Sequence, residues 1–364
     1  MLGFSHRKPD LIVHSTAPLN AEPPLDRLRR SFITDATDFY VRSHGDMPAI
    51  NAATHRITVQ GLVSTPLELS LADLKERFQP RTVMAVLQCA GNRRADMQGV
   101  RPTTGDPWAP GAIGNAEWSG VPLADVLRAA DADQDAALHV AFEAVDIAAN
   151  EDAPDAPYGV SIPMAKALDQ DVLLAWAMNG EPLAREHGAP LRVVVPGFAG
   201  VRSPKWLRSI TVQKVPSGAH QQAHDYLQFP PDMRKDTKDE SRGITITAMP
   251  LNAAICEPQP GASLPVGETK VRGYAIATDR AITRVDLSSN GGRDWVQATI
   301  EDHGNARWSW TLWHATLALT KGEHELVVRA WDAAGQTQPA QPDDTWNFKG
   351  YLSAAWHRVH VNAN

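Results

Sequence analysis

From Ile244 onward the chain is written in short alternating runs broken by turn residues, a pattern that restricts this part to an antiparallel β-sandwich. The runs are Ile244 to Ala248, Lys270 to Ala277, Ile282 to Ser288, Trp295 to Ile300, Arg307 to Trp313 and Glu323 to Trp331. Turn signals such as Asn290-Gly291-Gly292 and His303-Gly304-Asn305 separate them. Residues 1 to about 215 carry a mixed pattern instead. Leu71, Leu74 and Phe78 fall at helical spacing, as do Leu123, Val126, Leu127 and Ala130, whereas Leu191 to Val195 reads as a short buried strand. Between the two parts, a polar stretch with Pro230-Pro231 and the charged run Arg234 to Arg242 predicts a connector over 214–240. The expected class is α+β: a mixed α/β domain over 1–240, connector included, followed by an immunoglobulin-like β-sandwich over 241–364. No cysteine pair is available to make the second domain antibody-type, since Cys89 and Cys256 fall in different halves.

Composition narrows the function classes. At 364 residues both domains can bury a core, and 43% hydrophobic with 21% charged residues is ordinary for a soluble globular chain. The longest apolar stretch, Val172 to Met178, falls far short of the roughly 20 residues a membrane span needs. A net charge of −7 argues against nucleic acid as a partner, so an anionic substrate has to be drawn by a local basic pocket. Arg29-Arg30-Ser31-Phe32 is not an export signal, because the following Ile33 to Tyr40 contains Thr34, Asp35, Thr37 and Asp38 where an apolar run is required. The expected location is therefore the cytoplasm, or the periplasm if a leader has been removed. Dinucleotide-binding, phosphate-loop and serine-hydrolase motifs are all absent, and His220 with His224 lacks the adjacent Glu and third ligand of a zinc site.

The run Leu87, Gln88, Cys89, Ala90, Gly91, Asn92, Arg93, Arg94 places a thiol at the end of an apolar strand, Thr82 to Leu87, beside two guanidinium groups. Gly91-Asn92 breaks the strand, so the sulfur is expected to face a cleft. Nearby cations favour the thiolate that binds soft metals. By local chemistry alone, a buried cysteine packing as a small hydrophobe is the simpler reading.

The segment with Trp108 and Gly111-Ala112-Ile113 downstream resembles the molybdenum-cofactor core of the sulfite oxidase family. Further blocks follow in that family's order: Phe39 to His44, Tyr158 to Pro163, Met178 to Pro182, His187 to Pro196, Lys205-Trp206-Leu207, and the closing Trp346, Asn347, Gly350 and Ala355 to Val359. The resemblance covers nearly the whole chain. It implies a molybdopterin-binding first domain, a second domain that makes a homodimer, and Cys89 as the single protein ligand to molybdenum. It further implies Arg42, Arg94 and Lys349 as oxyanion-holding cations, Tyr226 and Trp108 at the substrate, and Arg42, His44, Cys89, Asp125, His187, Arg192, Ser203 and Lys205 around the cofactor. At Lys349 the family has arginine, so the charge is kept and the bidentate fork is lost.

The implied activity is that of a sulfite oxidase or dehydrogenase, turning sulfite into sulfate. With no haem or flavin motif in the chain, its electrons are expected to pass to a separate cytochrome, another soluble acceptor or dioxygen. Two alternatives stand beside it. One is another oxyanion reaction on the same scaffold, as in nitrate reductases; the other is a non-enzymatic β-sandwich binding module, which leaves Cys89 and the arginines unexplained.

Overall fold

The structure, a computed structural model, describes residues 11–150, 153–304 and 306–364. Two five-stranded sheets form the first domain. One is antiparallel, in the order Glu181–Pro182, Leu173–Met178, Ile113–Pro122 and Arg81–Gln88, with Arg192–Val194 also pairing to Leu173–Met178. The other runs Leu67–Ser70, Arg56–Gly61, Leu207–Gln213, His139–Ala148 and Ala156–Pro163, with one parallel pair, Leu207–Gln213 on Arg56–Gly61. A core of fully buried apolar residues that includes Val121, Val140, Val160, Leu174, Val193 and Ile210 joins them. A small sheet of Ile12–Thr16, Leu19–Glu22 and Val41–Arg42 lies at the N-terminal side and carries Arg42.

The short helices form where local chemistry and burial agree. Leu71–Arg77 starts with a capping box: Ser70 Oγ accepts from the Asp73 amide at 3.0 Å and the Asp73 carboxylate accepts from the Ser70 amide at 2.8 Å. Leu123–Ala129 buries Leu123, Val126 and Leu127 on the face that their spacing predicts.

The second domain is a sandwich of two sheets. One contains Asn252–Glu257, Gly267–Ile276, Thr311–Leu319 and Thr299–Ile300, and the other Ser263–Leu264, His357–Ala363, Gly322–Asp332, Ile282–Ser288 and Val296–Gln297. Trp313, Val285, Leu326 and Val328 fill the space between them. Three departures from the sequence pattern have physical causes. The expected strand Arg307 to Trp313 begins only at Thr311, because Trp308 turns away to cap the edge of Arg81–Gln88, its carbonyl accepting from the Val86 amide at 2.9 Å. The run from Ile244 is a strand only over Ile244–Thr245, which pairs with Leu227–Gln228, so the connector is structured and folds back through a π-helical turn at Gln221–Asp225. His357–Ala363 is a strand as well as a motif.

The domains are packed on one another. Leu25, Leu28, Val86 and Ile113 meet Ala254, Cys256, Tyr274, Trp310 and Leu312 in one apolar cluster. Cys256 is therefore packing material, and both cysteines are free thiols. Arg29 locks the joint: it is 4% exposed, pairs with Glu301, and donates to the carbonyls of Gly273 at 3.1 Å and Trp313 at 3.3 Å. Arg29→Met is expected to cost about 2–3 kcal/mol, the scale of a buried hydrogen bond to a charged group. Urea unfolding of the variant measures this, and an unchanged midpoint would show that the joint does not depend on Arg29.

Candidate functional site

The strand Arg81–Gln88 delivers Cys89 to the site. Its last ladder pair is Gln88 with Ile113, after which the Cys89 amide donates to Ala112 at 2.9 Å. The chain then turns: the Asn92 amide donates to the Cys89 carbonyl at 3.0 Å, and Arg93 adopts a left-handed φ of 65° before the helix Arg94–Gln98. The sulfur is left at the strand end, 6% exposed, accepting from the Gly91 amide at 3.4 Å. Burial pushes this thiol up in pKa, while Arg42 and Arg94 pull it down.

Cys89 opens onto a cleft that, with its solvent mouth, encloses about 660 Å³ of non-atom space. Arg42, His44, His187, Arg192, Ser203, Lys205 and Tyr226 line the same cleft, although they come from segments far apart in the chain. Among the described residues, the hydrogen bonds of the cleft cations go to neutral acceptors. Arg192 donates to the carbonyls of His187 at 3.0 Å and Ser203 at 2.9 Å, and Lys205 Nζ to Ser43 Oγ and the Glu186 carbonyl, both at 2.9 Å. Arg42 donates to Asn20 Oδ1 at 3.3 Å and to the Ser43 carbonyl.

Desolvation inside the cleft, with Arg192 beside it, lowers Lys205 to a pKa of about 7, and desolvation brings Arg192 to about 10. Desolvation also raises Asp146 to about 6, against the pull of Lys205. The cleft sets the cations Arg42, Arg192 and Lys205 against the carboxylates of Asp146 and Glu186, so positive charge is in excess and a bound anion would restore the balance and raise the lysine again. Among the described residues no three His, Cys, Asp or Glu side chains are grouped to hold a metal ion. A metal bound here therefore needs a carrier that supplies its other ligands, with Cys89 as the soft protein donor. An anionic, metal-bearing cofactor such as molybdopterin fits both conditions.

Tyr226 closes one side, its hydroxyl 2.7 Å from His44 Nε2. Desolvation holds His44 well below the usual imidazole range, with Arg42 and Lys205 adding to the shift, so its ring is neutral. Burial raises Tyr226 to about 12, with Cys89 adding to it and Arg42 opposing, so the phenol keeps its proton.

Four residues named from the sequence do not line the cleft. Asp125 is corrected outright: it sits on the outer side of the helix Leu123–Ala129, paired at 2.9 Å with Arg128. The carboxylate in the cleft is Asp146, 5% exposed in the strand His139–Ala148. Its signal was an acidic residue inside the otherwise apolar run Val145 to Ala149. Trp108 is fully buried behind Tyr40, with ring centroids 6.5 Å apart, and it is Tyr40 that reaches the cleft. Lys349 is held by Asp225, Nζ to Oδ1 at 3.4 Å, beside Tyr226. Arg94 lies behind Cys89, donating to the carbonyls of Asp106 at 2.8 Å and Lys349 at 3.1 Å. Ser43 and Tyr158, which fall within the blocks of sequence but were given no role there, line the cleft as well.

Residues 44–221 match the family model for the oxidoreductase molybdopterin binding domain, and residues 244–364 that for the Mo-co oxidoreductase dimerisation domain. The chain is 43% identical to a sulfite oxidase of Gallus gallus, covering 98% of this chain and 79% of the chicken protein. It is 38% identical to a sulfite oxidase of Arabidopsis thaliana, covering 97% and 94%. The mitochondrial sulfite oxidase of Rattus norvegicus is 40% identical, with 66% of its length covered. A barley (Hordeum vulgare) nitrate reductase matches at 35% identity across only 41% of its own length. Among solved structures, the sulfane dehydrogenase SoxCD of Paracoccus pantotrophus superposes with a TM-score of 0.82 at 26% identity, over 98% of this chain and 90% of that one. With Cys89 on the predicted strand end and the cleft built for an anionic metal carrier, the chain is a molybdenum oxidoreductase and belongs to the sulfite oxidase family.

Proposed function

We propose that this protein oxidises sulfite to sulfate with Mo-molybdopterin in the cleft and passes two electrons to an external acceptor. The observation that carries the reading is the convergence of the Cys89 thiol with Arg42, Arg192 and Lys205 on one cleft, cations whose hydrogen bonds among the described residues go to neutral acceptors. When bound, the cofactor supplies two-electron oxygen-atom transfer, and the protein supplies binding and orientation.

Cys89 contributes the sulfur ligand. Arg192, Lys205, His187, Ser203 and Asp146 surround the part of the cleft suited to a phosphate and a hydrogen-bonding pterin. Arg42 lines the same cleft as Cys89 and Tyr226, and its guanidinium is the group proposed to hold sulfite oxygens there by charge-assisted bonds. Tyr226 stays protonated and, steered by neutral His44, orients the anion as a donor. Overall, sulfite and water become sulfate, two protons and two electrons. Consistent with the dimerisation domain at 244–364, the working form is proposed to be a homodimer, and the cytoplasm is proposed as its location.

Metal analysis and paired steady-state assays test the reading. About one molybdenum per chain and turnover of sulfite well above nitrate are expected. Protein from a cofactor-competent host that holds no molybdenum, or that turns over nitrate faster, would overturn it. Within the cleft, Asp146→Asn is expected to lower cofactor affinity by about 10–100-fold, the scale for losing a supporting polar partner. Asp125→Asn, outside the cleft, is expected to leave molybdenum content unchanged, and the reverse order would restore Asp125 to the ligand set.

A further inference from the structure

Arg94 is held in a cradle that no cofactor contact explains. A methyl group built on Gly91, Gly105 or Gly350 would stand 2.7, 2.8 and 2.5 Å from its Nη2, Nη1 and Cγ atoms. Gly350 also has φ +63, so a side chain there is strained as well as crowded. The remaining side of the guanidinium lies over the ring of Tyr351, 5.2 Å from its centroid. Nε and Nη1 are committed to the carbonyls of Lys349 and Asp106, and Arg94 forms no ion pair among the described residues.

The same Tyr351 ring stacks on Tyr226, centroids 5.1 Å apart and planes 16° from parallel. Its backbone is fixed from both sides. The Tyr351 amide donates to Asn347 Oδ1 at 3.0 Å, and Asn347 Nδ2 donates to the Tyr351 carbonyl at 2.8 Å. One residue on, the Leu352 amide donates to the carbonyl of Ala90 at 2.8 Å, next to Cys89. Asn347 is wholly buried, so this anchor is rigid.

We infer that Tyr351, supplied by the second domain, is a positioning residue for oxyanion binding: its ring, braced by Arg94 behind Cys89, holds Tyr226 in place in the cleft. This rests on the oxyanion reading of the site. A cation over an aromatic face is attracted by the ring quadrupole, and two groups stacked on one ring cannot move independently. The ring is what matters here. A mobile phenol spends entropy on each binding event, whereas one stacked on a ring that Arg94 and its three glycine walls brace is already in place.

The test is a set of Tyr351 variants with two readouts. Tyr351→Leu is expected to raise the sulfite KM about three- to thirtyfold, the range a cation–π contact spans, with a much smaller effect on kcat. Tyr351→Phe keeps the ring and is expected to recover most of the lost affinity. The second readout is the rise in Tm produced by sulfate, which needs no turnover and should shrink in the leucine variant and return in the phenylalanine one. Should Tyr351→Leu not fold, Tyr351→Met removes the ring with an adaptable side chain and carries the same comparison. A ring-less variant with wild-type KM and wild-type sulfate stabilisation overturns the inference, as does a loss confined to kcat and molybdenum content. Wild-type protein that is stabilised by sulfate but oxidises no sulfite would sink the substrate reading and leave this one standing.

Discussion

Cys89→Ser is expected to abolish turnover while leaving a folded protein. Losing a supporting partner at a metal site typically costs about 10–100-fold in affinity or activity. Losing the protein's own ligand should exceed that range, because a neutral hydroxyl is a harder and weaker donor to a soft-ligated metal than a thiolate. Folding should survive for a structural reason: the sulfur takes only the Gly91 amide, and it faces the cleft instead of the core between the sheets. The strand that carries it is fixed by eight ladder pairs to Ile113–Pro122 and by the Trp308 bridge, none of which involves the side chain. Circular dichroism and thermal unfolding check the fold, and steady-state oxidation of sulfite checks the chemistry. A serine variant that keeps full activity would remove Cys89 from the metal.

The fold was legible where a period is carried by many residues. In Ile282–Ser288 the residues Val285 and Leu287, and in Gly322–Asp332 the residues Leu326, Val328 and Ala330, recur at every second position and join the sandwich core. It was illegible where one residue's long-range contact overrides the period, as when Trp308 leaves the sandwich to cap Arg81–Gln88. The site divides in the same way. Arg42, His44, His187, Arg192, Ser203, Lys205 and Tyr226 were named through blocks of sequence, and they meet because strand ends and short helical turns from both parts of the first domain converge on the end of Arg81–Gln88. Asp125 and Asp146 show what a block cannot supply. Both are acidic residues in amphipathic elements, and only the packing of each element decides which carboxylate turns outward to Arg128 and which faces Lys205. Tyr351 was missed because its role depends on a ring stack across a domain boundary, which leaves no spacing to read.

Arg42→Met should produce the other large loss, and by a different route. Arg42 lines the cleft with both Cys89 and Tyr226, and Tyr226 and Cys89 hold its pKa up against its own desolvation. Each charge-assisted hydrogen bond contributes about 1.5–3 kcal/mol, and a guanidinium fork can give two to an oxyanion. At about 1.4 kcal/mol per tenfold change in rate, their loss corresponds to a fall in kcat/KM for sulfite of about a hundred- to ten-thousandfold. The same substitution has a signature that turnover does not report. Arg42 is the largest of the charges lowering the Cys89 thiol, so its removal shifts that pKa further up. In cofactor-free protein, alkylation of Cys89 should then require a higher pH than in the wild type, with Cys256, which is fully buried in the joint between the domains, staying unreactive in both. Sulfite kinetics that fall with no change in the alkylation profile would place Arg42 at the anion but away from the sulfur. Kinetics within a few-fold of wild type would take it out of the oxyanion site altogether.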